Sequence, residues 1–408
     1  MWDLALESFL GRLIRHGTLV LALPSGRVIR FGHGSPDFAV KLTDPTLPRR
    51  LCLSPELALG EGYMDGTLRI EGDDLKGFMS FLILNARKGL PLWQRPAKAL
   101  RTALRFARQW NPVPRARRNV AHHYDLSGKL YDLFLDADRQ YSCAYFREPG
   151  MSLEAAQIAK KHHIAGKLLI EPGMRVLDIG CGWGGMALTL ARDYGARVVG
   201  VTLSEEQVKL ARERAKKARL DDRVEFRLMD YRHVEGPFDR IVSVGMFEHV
   251  GVPHYRAYFA KVRELLTEDG VALIHTIGRS TPPSVTSPWI DKYIFPGGYV
   301  PALSEVMTAV EKENLVTDDV EVWRLHYAET LTHWYDRFVA RQDEARALYD
   351  ERFCRMWRYY LIASELTFRL NRQVVFQLQL SKKQEAVPLT RDYLYPPEPE
   401  ARVSHAAE

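Results

Sequence analysis

Apolar residues follow two different periods along the middle of the chain. From Gly173 onward, short apolar runs alternate with stretches in which apolar residues recur every three or four positions. The runs predict strands over Met174–Ile179, Arg197–Val201, Val224–Leu228, Asp239–Val244 and Gly270–Ile277, and the stretches predict helices over Trp183–Tyr194, Glu205–Ala218 and His254–Leu266. Because apolar strands that alternate with amphipathic helices form parallel sheets, we predict an α/β, doubly wound, Rossmann-like fold.

The two flanks of this region have patterns of their own. Residues 1–92 predict a small α+β domain, with strand-like runs at Leu19–Leu23, Arg27–Phe31 and Ala39–Leu42 and an apolar helix near Leu75–Arg87. The C-terminal third predicts helices over Leu303–Glu313, Thr330–Arg346 and Asp350–Arg369 and a strand over Val374–Leu380. We expect a main domain over 121–395 and a disordered tail over 396–408.

The positive charge is concentrated between these domains. The 57 Lys and Arg against 51 Asp and Glu give a formal charge of +6, yet the acid-free stretch from Leu75 to Tyr124 carries +11, which leaves −5 for the remainder. Residues 93–120 predict a basic amphipathic helix, Ala97–Trp110, followed by a linker rich in Pro and Arg. The helix places four cations on one face: Lys98, Arg101, Arg105 and Arg108.

Three partners suit a helix of this kind to different degrees. An anionic membrane surface attracts each such cation by about 1 kcal/mol. A helix that packs between domains and keeps a solvated Lys and Arg face explains the same pattern. Nucleic acid fits the charge, but the segment lacks interleaved aromatic residues and any recognisable nucleic-acid module, so we predict no nucleic-acid partner.

Cysteine usage and the N-terminus limit the cellular setting. Cys52, Cys143, Cys181 and Cys354 lie too far apart for a zinc pattern, so we predict neither a metal site nor a disulfide scaffold. The first residues carry acids where a secretory signal needs basic and then apolar residues. The apolar run Phe78–Leu84 is far shorter than the roughly 20 residues that span a bilayer. A soluble or peripheral protein of a reducing cytosol is therefore expected.

A glycine-rich loop follows the first strand of the main domain. Val176–Gly185 reads Val-Leu-Asp-Ile-Gly-Cys-Gly-Trp-Gly-Gly, in which a buried strand leads into glycines that open a helix and let backbone N–H groups approach a ligand. The spacing Gly180-x-Gly182-x-Gly184 differs from that of dinucleotide folds, and Asp178 would repel a pyrophosphate. A cofactor with an ammonium and a sulfonium group suits that carboxylate.

Asp-x-Gly-x-Gly-x-Gly at a first strand is typical of the class I S-adenosylmethionine-dependent methyltransferases. The motif therefore predicts S-adenosylmethionine as the cofactor, and a mostly parallel seven-stranded sheet. Further cofactor candidates are Thr202 and Gln207 after the second strand and Asp230 and Tyr231 after the third. Thr202 has an alternative role as a strand-end residue, and Ser204 and Gln207 have one as a helix N-cap pair.

Several motifs in order resemble the cyclopropane-fatty-acyl-phospholipid synthases and their mycolic-acid relatives. They are His123-Tyr124-Asp125-Leu126-Ser127, Gln140–Phe146, Gly200–Gln207, Phe247–Gly251, His275–Gly278 and Phe295–Gly298. The resemblance covers about 121 to the end and, less closely, the N-terminal domain. It implies transfer of a methylene group to the cis double bond of an unsaturated acyl chain in a membrane phospholipid. It also implies a cytoplasmic protein at the inner face of the membrane and a possible homodimer.

The resemblance implies particular site residues as well. His123, Tyr141 and Ser142 look like cofactor contacts, beside Asp178, Gly180, Cys181 and Gly182 of the loop. In this family a bound bicarbonate is thought to accept the proton, and the positions carried over for it are Cys143, Glu248, His275, Ile277 and Tyr327. Glu248 and His275 fall on the carboxyl edge of the predicted sheet, where α/β folds bind ligands. We expect Glu248 to orient His275, whose ring N–H would hold the anion.

Two further segments are assigned to the acyl chain. Residues 279–300, rich in Pro and Gly, predict a lid over the acyl site, with a plain surface loop as the alternative. A C-terminal aromatic run is predicted to line the site and to stabilise cationic charge, with ordinary helix core as the alternative; it comprises Phe353, Met356, Trp357, Tyr359, Tyr360 and Phe368. His162 and His163 are expected on a helix surface.

Three other functions fit parts of the same pattern. A related C-methylation would give a methyl-branched or methylene product, depending on where the carbocation loses its proton. The complete set Cys143, Glu248, His275 and Tyr327 argues against a catalytically silent protein that only binds S-adenosylmethionine or lipid. An RNA methyltransferase fits less well than either.

Overall fold

The first of two sheets belongs to the N-terminal part of the chain. The computed structural model describes residues 1–87, 109 and 128–395. Four strands, β1 Gly17–Ala22, β2 Val28–His33, β3 Asp37–Leu42 and β4 Leu68–Ile70, pair in the order β2-β1-β3-β4, with β1 parallel to β3. The helices of this part are α1 Trp2–Leu13, α2 Leu47–Leu53, α3 Pro55–Met64 and α4 Leu75–Ala86. We call these elements the N-terminal unit.

Side-chain alternation explains the small sheet. Leu19 and Leu21 of β1 are buried, and so are Val40 and Leu42 of β3, because every second side chain of a strand faces the same side. They share one apolar core with Phe78 of α4. The α+β character predicted for this region is present, whereas α1, α2 and α3 were not predicted.

The second sheet has seven strands in the order β10-β11-β9-β8-β5-β6-β7. Its strands are β5 Arg175–Ile179, β6 Arg197–Thr202, β7 Val224–Leu228, β8 Phe238–Val244, β9 Leu266–Arg279, β10 Val316–Trp323 and β11 Gln373–Ser381. The helices after residue 128 are α5 Gly128–Tyr131, α6 Leu153–Lys167, α7 Gly185–Tyr194, α8 Glu205–Lys217, α9 Tyr255–Leu265, α10 Pro288–Tyr293, α11 Leu303–Lys312, α12 His326–Ala340, α13 Gln342–Leu348 and α14 Glu351–Leu370. β11 pairs antiparallel with both β10 and β9, and the other described strand pairs of this sheet are parallel.

The strand order places a crevice beside β5. Val176, Leu177 and Ile179 are all buried because helices cover both faces of the sheet. The chain leaves β5 towards β6 on one side, and it returns to β8 on the other side. Loops therefore diverge at the carboxyl ends of β5 and β8, which is where open α/β sheets bind ligands. The fold class predicted from the sequence is confirmed.

Some elements differ from the prediction. β10 was not predicted, because most of its residues are only half-buried and its sequence Val-Thr-Asp-Asp-Val-Glu-Val-Trp contains three acids. The single helix predicted over Thr330–Arg346 is two helices, since Arg341 leaves the helical conformation between α12 and α13. The placement of His163 on a helix surface was wrong: its side chain is buried and its Nε2 lies 2.7 Å from Glu321 Oε2.

The N-terminal unit packs on the last long helix of the chain. α3 and α4 both contact α14. Three ion pairs join the two parts: Lys76 with Glu365 at 2.8 Å, Arg352 with Asp65 at 2.8 Å and Arg358 with Asp73 at 2.7 Å.

Several predicted features lie outside the described residues, apart from Gln109, and stay predictions. They are the domain boundary at residue 92, the basic helix and linker over 93–120 and the tail over 396–408. No helix within the described ranges is long and apolar enough to cross a membrane.

Candidate active site

A first cavity opens where β5 ends and α7 begins. Gly180 has a φ of +80°, and a Cβ there would lie 2.9 Å from Cβ of Met246. Gly184 has a φ of +85°, and a Cβ there would lie 2.6 Å from the ring of Phe226. Only glycine satisfies both the left-handed backbone and these close approaches. The loop therefore brings its own backbone to the edge of a cavity of about 160 Å³.

Asp178 places a buried carboxyl at the wall of this cavity. Its side chain is buried, and its Oδ2 has no hydrogen-bond partner among the described residues. Burial raises the pKa of this carboxyl to about 7. A buried carboxylate with an unpaired oxygen is costly unless a ligand supplies a donor or a positive charge. The ammonium of an amino-acid cofactor is such a group.

The ends of β6 and β7 complete the first cavity. The Thr202 hydroxyl donates to Gln207 Oε1 at 2.7 Å, and Ser204 caps α8 by accepting the N–H of Gln207. The N-cap role proposed for Ser204 is thus confirmed. Asp230 accepts three hydrogen bonds from Arg232, two from its guanidinium at 2.8 and 2.7 Å and one from its backbone N–H at 3.0 Å. Although burial acts to raise the pKa of Asp230, these bonds hold it below its usual value.

All but one of the predicted cofactor residues line this first cavity. They are Tyr141, Ser142, Asp178, Gly180, Cys181, Gly182, Thr202, Gln207, Asp230 and Tyr231. His123 lies outside the described residues. Trp183, Met246 and His249 also line this cavity and were not predicted. Trp183 and His249 lie inside motifs that the sequence analysis recognised. Nothing in the sequence around Met246 distinguishes it from a core residue.

A second, larger cavity of about 480 Å³ adjoins the first. Four residues line both cavities: Tyr141, Ser142, Gly245 and His249. Burial lowers the pKa of His249 to about 4, so this ring is neutral at neutral pH. Two sites of different character therefore meet at one point, which is the arrangement that group transfer between two bound molecules requires.

The polar end of the second cavity contains all five residues predicted for the base. Cys143, Glu248, His275, Ile277 and Tyr327 all line this cavity, although they come from four separate parts of the chain, with His275 and Ile277 together on β9. Glu248 Oε1 accepts the N–H of Ile277 at 2.6 Å, whereas its Oε2 is buried and has no partner in the described part of the chain. Burial outweighs that hydrogen bond and raises the pKa of Glu248 to about 7.

The expected pairing of Glu248 with His275 was wrong. Gln377 lies directly across from His275 on β11, and its Nε2 lies 3.1 Å from His275 Nδ1. Glu248 instead binds the backbone of Ile277. Burial lowers the pKa of His275 well below its ordinary value, so the ring is neutral. Burial also raises the pKa of Cys143, which keeps this residue a thiol.

Apolar and aromatic side chains form much of the remaining wall of the second cavity. Tyr359, Tyr360 and Phe368 of the predicted aromatic run line it. Phe353, Met356 and Trp357 are not among its lining residues; Trp357 is 1% exposed and packs in the core beside Phe353, with ring centroids 5.7 Å apart. For these three residues the alternative of ordinary helix core was the right one.

Two distant segments close the second cavity. Residues 285–300 contribute Trp289, Ile290 and Phe295, and the N-terminal unit contributes Leu59, Met79 and Ile83. The sequence did not predict this contribution of α3 and α4, because apolar residues on one face of a helix predict core packing equally well.

Comparison with known proteins identifies the family. The sequence family described as Mycolic acid cyclopropane synthetase matches residues 113–378, well over half of the chain. The chain belongs to this family. Membership agrees with the resemblance that the motifs carried.

Individual relatives of the family extend the match. The cyclopropane-fatty-acyl-phospholipid synthase of Escherichia coli (strain K12) is 42% identical over 352 residues, which covers 86% of this chain and 89% of that protein. A probable fatty acid methyltransferase of Pseudomonas putida is 35% identical over 399 residues, covering 93% and 97%. A crystal structure of mycolic acid cyclopropane synthase CmaA1 complexed with SAH and CTAB has a TM-score of 0.62 at 34% identity, covering 67% of this chain and 99% of that chain. The predicted class, a methyltransferase dependent on S-adenosylmethionine, is confirmed.

Proposed function

We propose that the protein transfers a methylene group from S-adenosylmethionine to the cis double bond of an unsaturated acyl chain of a membrane phospholipid, forming a cyclopropane ring. The observation that carries the proposal is the junction of the two cavities at Tyr141, Ser142, Gly245 and His249. The cavity on one side of the junction has a buried carboxylate suited to a cationic cofactor, and the cavity on the other side is larger and mostly apolar. The phospholipid synthase of Escherichia coli, 42% identical, supports the choice of substrate.

In the first cavity the chain binds and orients the cofactor. Bound S-adenosylmethionine supplies a methyl group made electrophilic by its sulfonium. Asp178 would bind the ammonium, the Gly180–Gly184 loop would contact the amino-acid portion, and Thr202, Gln207 and Asp230 would hold the ribose and adenine edges. Tyr141 and Ser142 stand at the junction and set the direction in which the methyl group faces.

In the second cavity the chain protects a carbocation from water. An alkene is a weak nucleophile, and the cation formed when it takes up a methyl group would react with any water present. Tyr359, Tyr360 and Phe368 exclude water, and their ring faces stabilise positive charge. The segment at 279–300 would act as the lid over this acyl site.

The proton released on ring closure needs a base within a closed site. We assign bicarbonate to the polar end of the cavity, where Cys143, Glu248, His275, Ile277 and Tyr327 would hold it, and where it would supply that base. The unpaired Oε2 of Glu248 and the neutral ring of His275 support the assignment, because one accepts and the other donates a hydrogen bond.

A second candidate function is a C-methylation that ends in a methyl-branched or methylene product. The relative from Pseudomonas putida, a probable fatty acid methyltransferase 35% identical over nearly the whole chain, favours it. The two functions share every step up to the carbocation, so only the structure of the lipid product separates them.

We also propose that the protein acts at the inner, cytoplasmic face of the membrane. The helix predicted from the sequence, with Lys98, Arg101, Arg105 and Arg108, would bind anionic phospholipid and bring the acyl cavity to its substrate. A homodimer would present two such helices to one surface.

Substitution of Glu248 tests the assignment of the base site. With labelled S-adenosylmethionine and vesicles of cis-unsaturated phospholipid, Glu248→Gln should lower the transfer of label by about 10²-fold or more, the range of a lost acid–base function. S-adenosylmethionine binding should stay unchanged, because Glu248 does not line the first cavity. Glu264→Gln, whose side chain is 64% exposed, is the control. A Glu248→Gln enzyme that works normally, or that binds no cofactor, contradicts the assignment.

A further inference from the structure

Beneath the junction of the two cavities lies a buried cation that forms no ion pair within the described part of the chain. Lys160 of α6 is 0% exposed. Its Nζ donates to Gln140 Oε1 at 2.9 Å and to Ser142 Oγ at 2.8 Å, both neutral oxygens. Lys167 of the same helix is equally buried, but its Nζ lies 2.5 Å from Glu321 Oε2. Since burying an ammonium without a paired carboxylate is costly, Lys160 needs an explanation beyond packing.

The hydrogen bonds of Lys160 fix the segment that both cavities share. Ser142 lines both cavities, and Gln140 lines the first. One turn earlier on α6, Gln157 Nε2 donates to the backbone carbonyls of Gln140 and Ser142, at 3.2 and 3.0 Å. α6 therefore holds the main chain of this segment through Gln157 and its side chains through Lys160.

The charge of Lys160 also acts on the polar end of the second cavity. The positive charge of Lys160 acts electrostatically on Cys143 and His275, and it is one cause of the lowered pKa of His275. The carboxylates that face Lys160 are Asp136 and Asp138. Asp138 is already paired with Lys161 and Arg214, and burial raises the pKa of Asp136, so neither fully offsets the ammonium. An anion beside Cys143 and His275 would supply the missing negative charge.

We propose that Lys160 is a positioning residue of the transfer reaction: its ammonium fixes the Ser142 hydroxyl at the junction of the cavities, and its charge favours the anionic base beside Cys143 and His275. The inference rests on the proposed function. It adds a residue that touches neither cavity directly and acts through Ser142 and through its electric field.

A pH dependence follows from the surroundings of Lys160. The groups that face it are Asp136, Asp138, Lys161, Cys143 and His275, and burial is the main cause that lowers its pKa to about 8. The ammonium is therefore present below pH 8 and is lost as the pH rises through that value. Activity at fixed bicarbonate concentration should decline above about pH 8 in the wild type.

Three variants of the full chain test the inference: Lys160→Met, Lys160→Arg and Lys261→Met. Lys261 of α9 is the matched control, because it is a helical lysine whose side chain is only 16% exposed and pairs with Glu264, and it is not among the groups that face Lys160. We would measure the bicarbonate concentration for half-maximal rate, the pH profile and the affinity for S-adenosylmethionine.

Lys160→Met should raise the half-maximal bicarbonate concentration about tenfold or more and lose the alkaline decline, while cofactor affinity changes less than about threefold. Lys160→Arg should keep the lower bicarbonate requirement and move the decline to higher pH. The control Lys261→Met should resemble the wild type. If Lys160→Met has the same bicarbonate requirement and the same pH profile as the wild type, the inference about Lys160 is overturned. The proposed function is not affected by that result. If that variant does not fold, a wild-type profile without a decline near pH 8 overturns it. If the wild type forms no lipid product, or if its rate does not depend on bicarbonate, both the inference about Lys160 and the proposed function are overturned.

Discussion

Asp178 and Glu248 each place a buried carboxyl in one of the two cavities, and each leaves one oxygen without a partner among the described residues. Burial raises both pKa values to about 7. These pKa values in the folded protein exceed those of the unfolded chain. The two carboxyls therefore contribute fully to the stability of the folded state only at low pH, and this contribution is lost as the pH rises through 7. The ligand-free protein thus bears an electrostatic cost at the positions where we place the cofactor and the base.

Cofactor affinity should depend on pH through Asp178. Because the ammonium of S-adenosylmethionine favours the ionised carboxylate, the wild type should bind this cofactor more tightly at pH 7.5 than at pH 5.5, by a factor on the order of ten. Isothermal titration at both pH values measures the factor. Asp178→Asn should bind weakly and almost equally at both, and a wild-type affinity independent of pH would contradict the role of Asp178.

The composition of the site could be predicted residue by residue, but its hydrogen bonds could not. Glu248 and His275 follow from motifs and from their places at strand ends. The partner of His275 depends on the register of β11 against β9, which sets Gln377 opposite His275. The sequence predicted a strand at 374–380 without that register, and a shift of one residue would turn Gln377 to the other face.

At the scale of elements, α10 connects the segment over the acyl cavity to α3. Trp289 lies against Gly60, and its Nε1 lies 3.2 Å from Met64 Sδ. Glu61 accepts hydrogen bonds from Lys292 and Arg50, both at 2.6 Å, and from Tyr293 at 2.8 Å. Although burial acts to raise the pKa of Glu61, these three donors hold it below its usual value. The N-terminal unit thus fixes the position of the proposed lid.

Substitution of Gly60 should disturb this contact. A Cβ at Gly60 would lie 2.4 Å from the Trp289 ring, so Gly60→Ala should lower the free energy of unfolding by about 1–3 kcal/mol and reduce transfer to lipid. Cofactor affinity should not change. Gly11→Ala on α1, where nothing lies within 4 Å of the added Cβ, should instead stabilise by about 0.5 kcal/mol. Equal melting temperatures for the two variants would show that α10 does not depend on this contact.

The sequence predicted strands correctly where helices cover both faces of the sheet, and it missed the strand at one edge of the sheet. β5 and β8 are apolar runs because helices lie on both sides of the sheet, so their sequences alone predict them. β10 is the last strand of the sheet, and its half-buried acids mask its pattern. His163 is buried because Glu321 of that unpredicted strand binds it.

At the scale of the whole molecule, the positive charge is concentrated in a segment of the chain that is distinct from the residues of the two cavities. The formal charge is +6, but the acid-free stretch that carries +11 lies between the two sheets in sequence, and the rest of the chain is net negative. The described cavities contain their own buried carboxyls, so the basic segment is not needed to explain them. Docking to an anionic surface is the role we propose for it.

Reversal of three cations tests that docking role. Arg101→Glu, Arg105→Glu and Arg108→Glu together should weaken binding to anionic phospholipid vesicles, by on the order of 1 kcal/mol for each cation lost, and should reduce its salt dependence. Vesicle sedimentation across a salt series measures both. The matched control reverses three exposed cations of α8, Lys209, Lys216 and Lys217. Equal losses in the two triple variants would mean that net charge, and not this helix, sets membrane binding.

The chemical structure of the lipid product tests the central claim most directly. The wild-type protein is incubated with labelled S-adenosylmethionine, bicarbonate and vesicles of cis-unsaturated phospholipid, and the released fatty acids are analysed by mass spectrometry before and after catalytic hydrogenation under mild conditions. We predict acyl chains that have gained the mass of one methylene group, carry the label and no longer contain a double bond. A product of that mass that still takes up hydrogen, or no labelled lipid at all, would contradict cyclopropane formation by this protein.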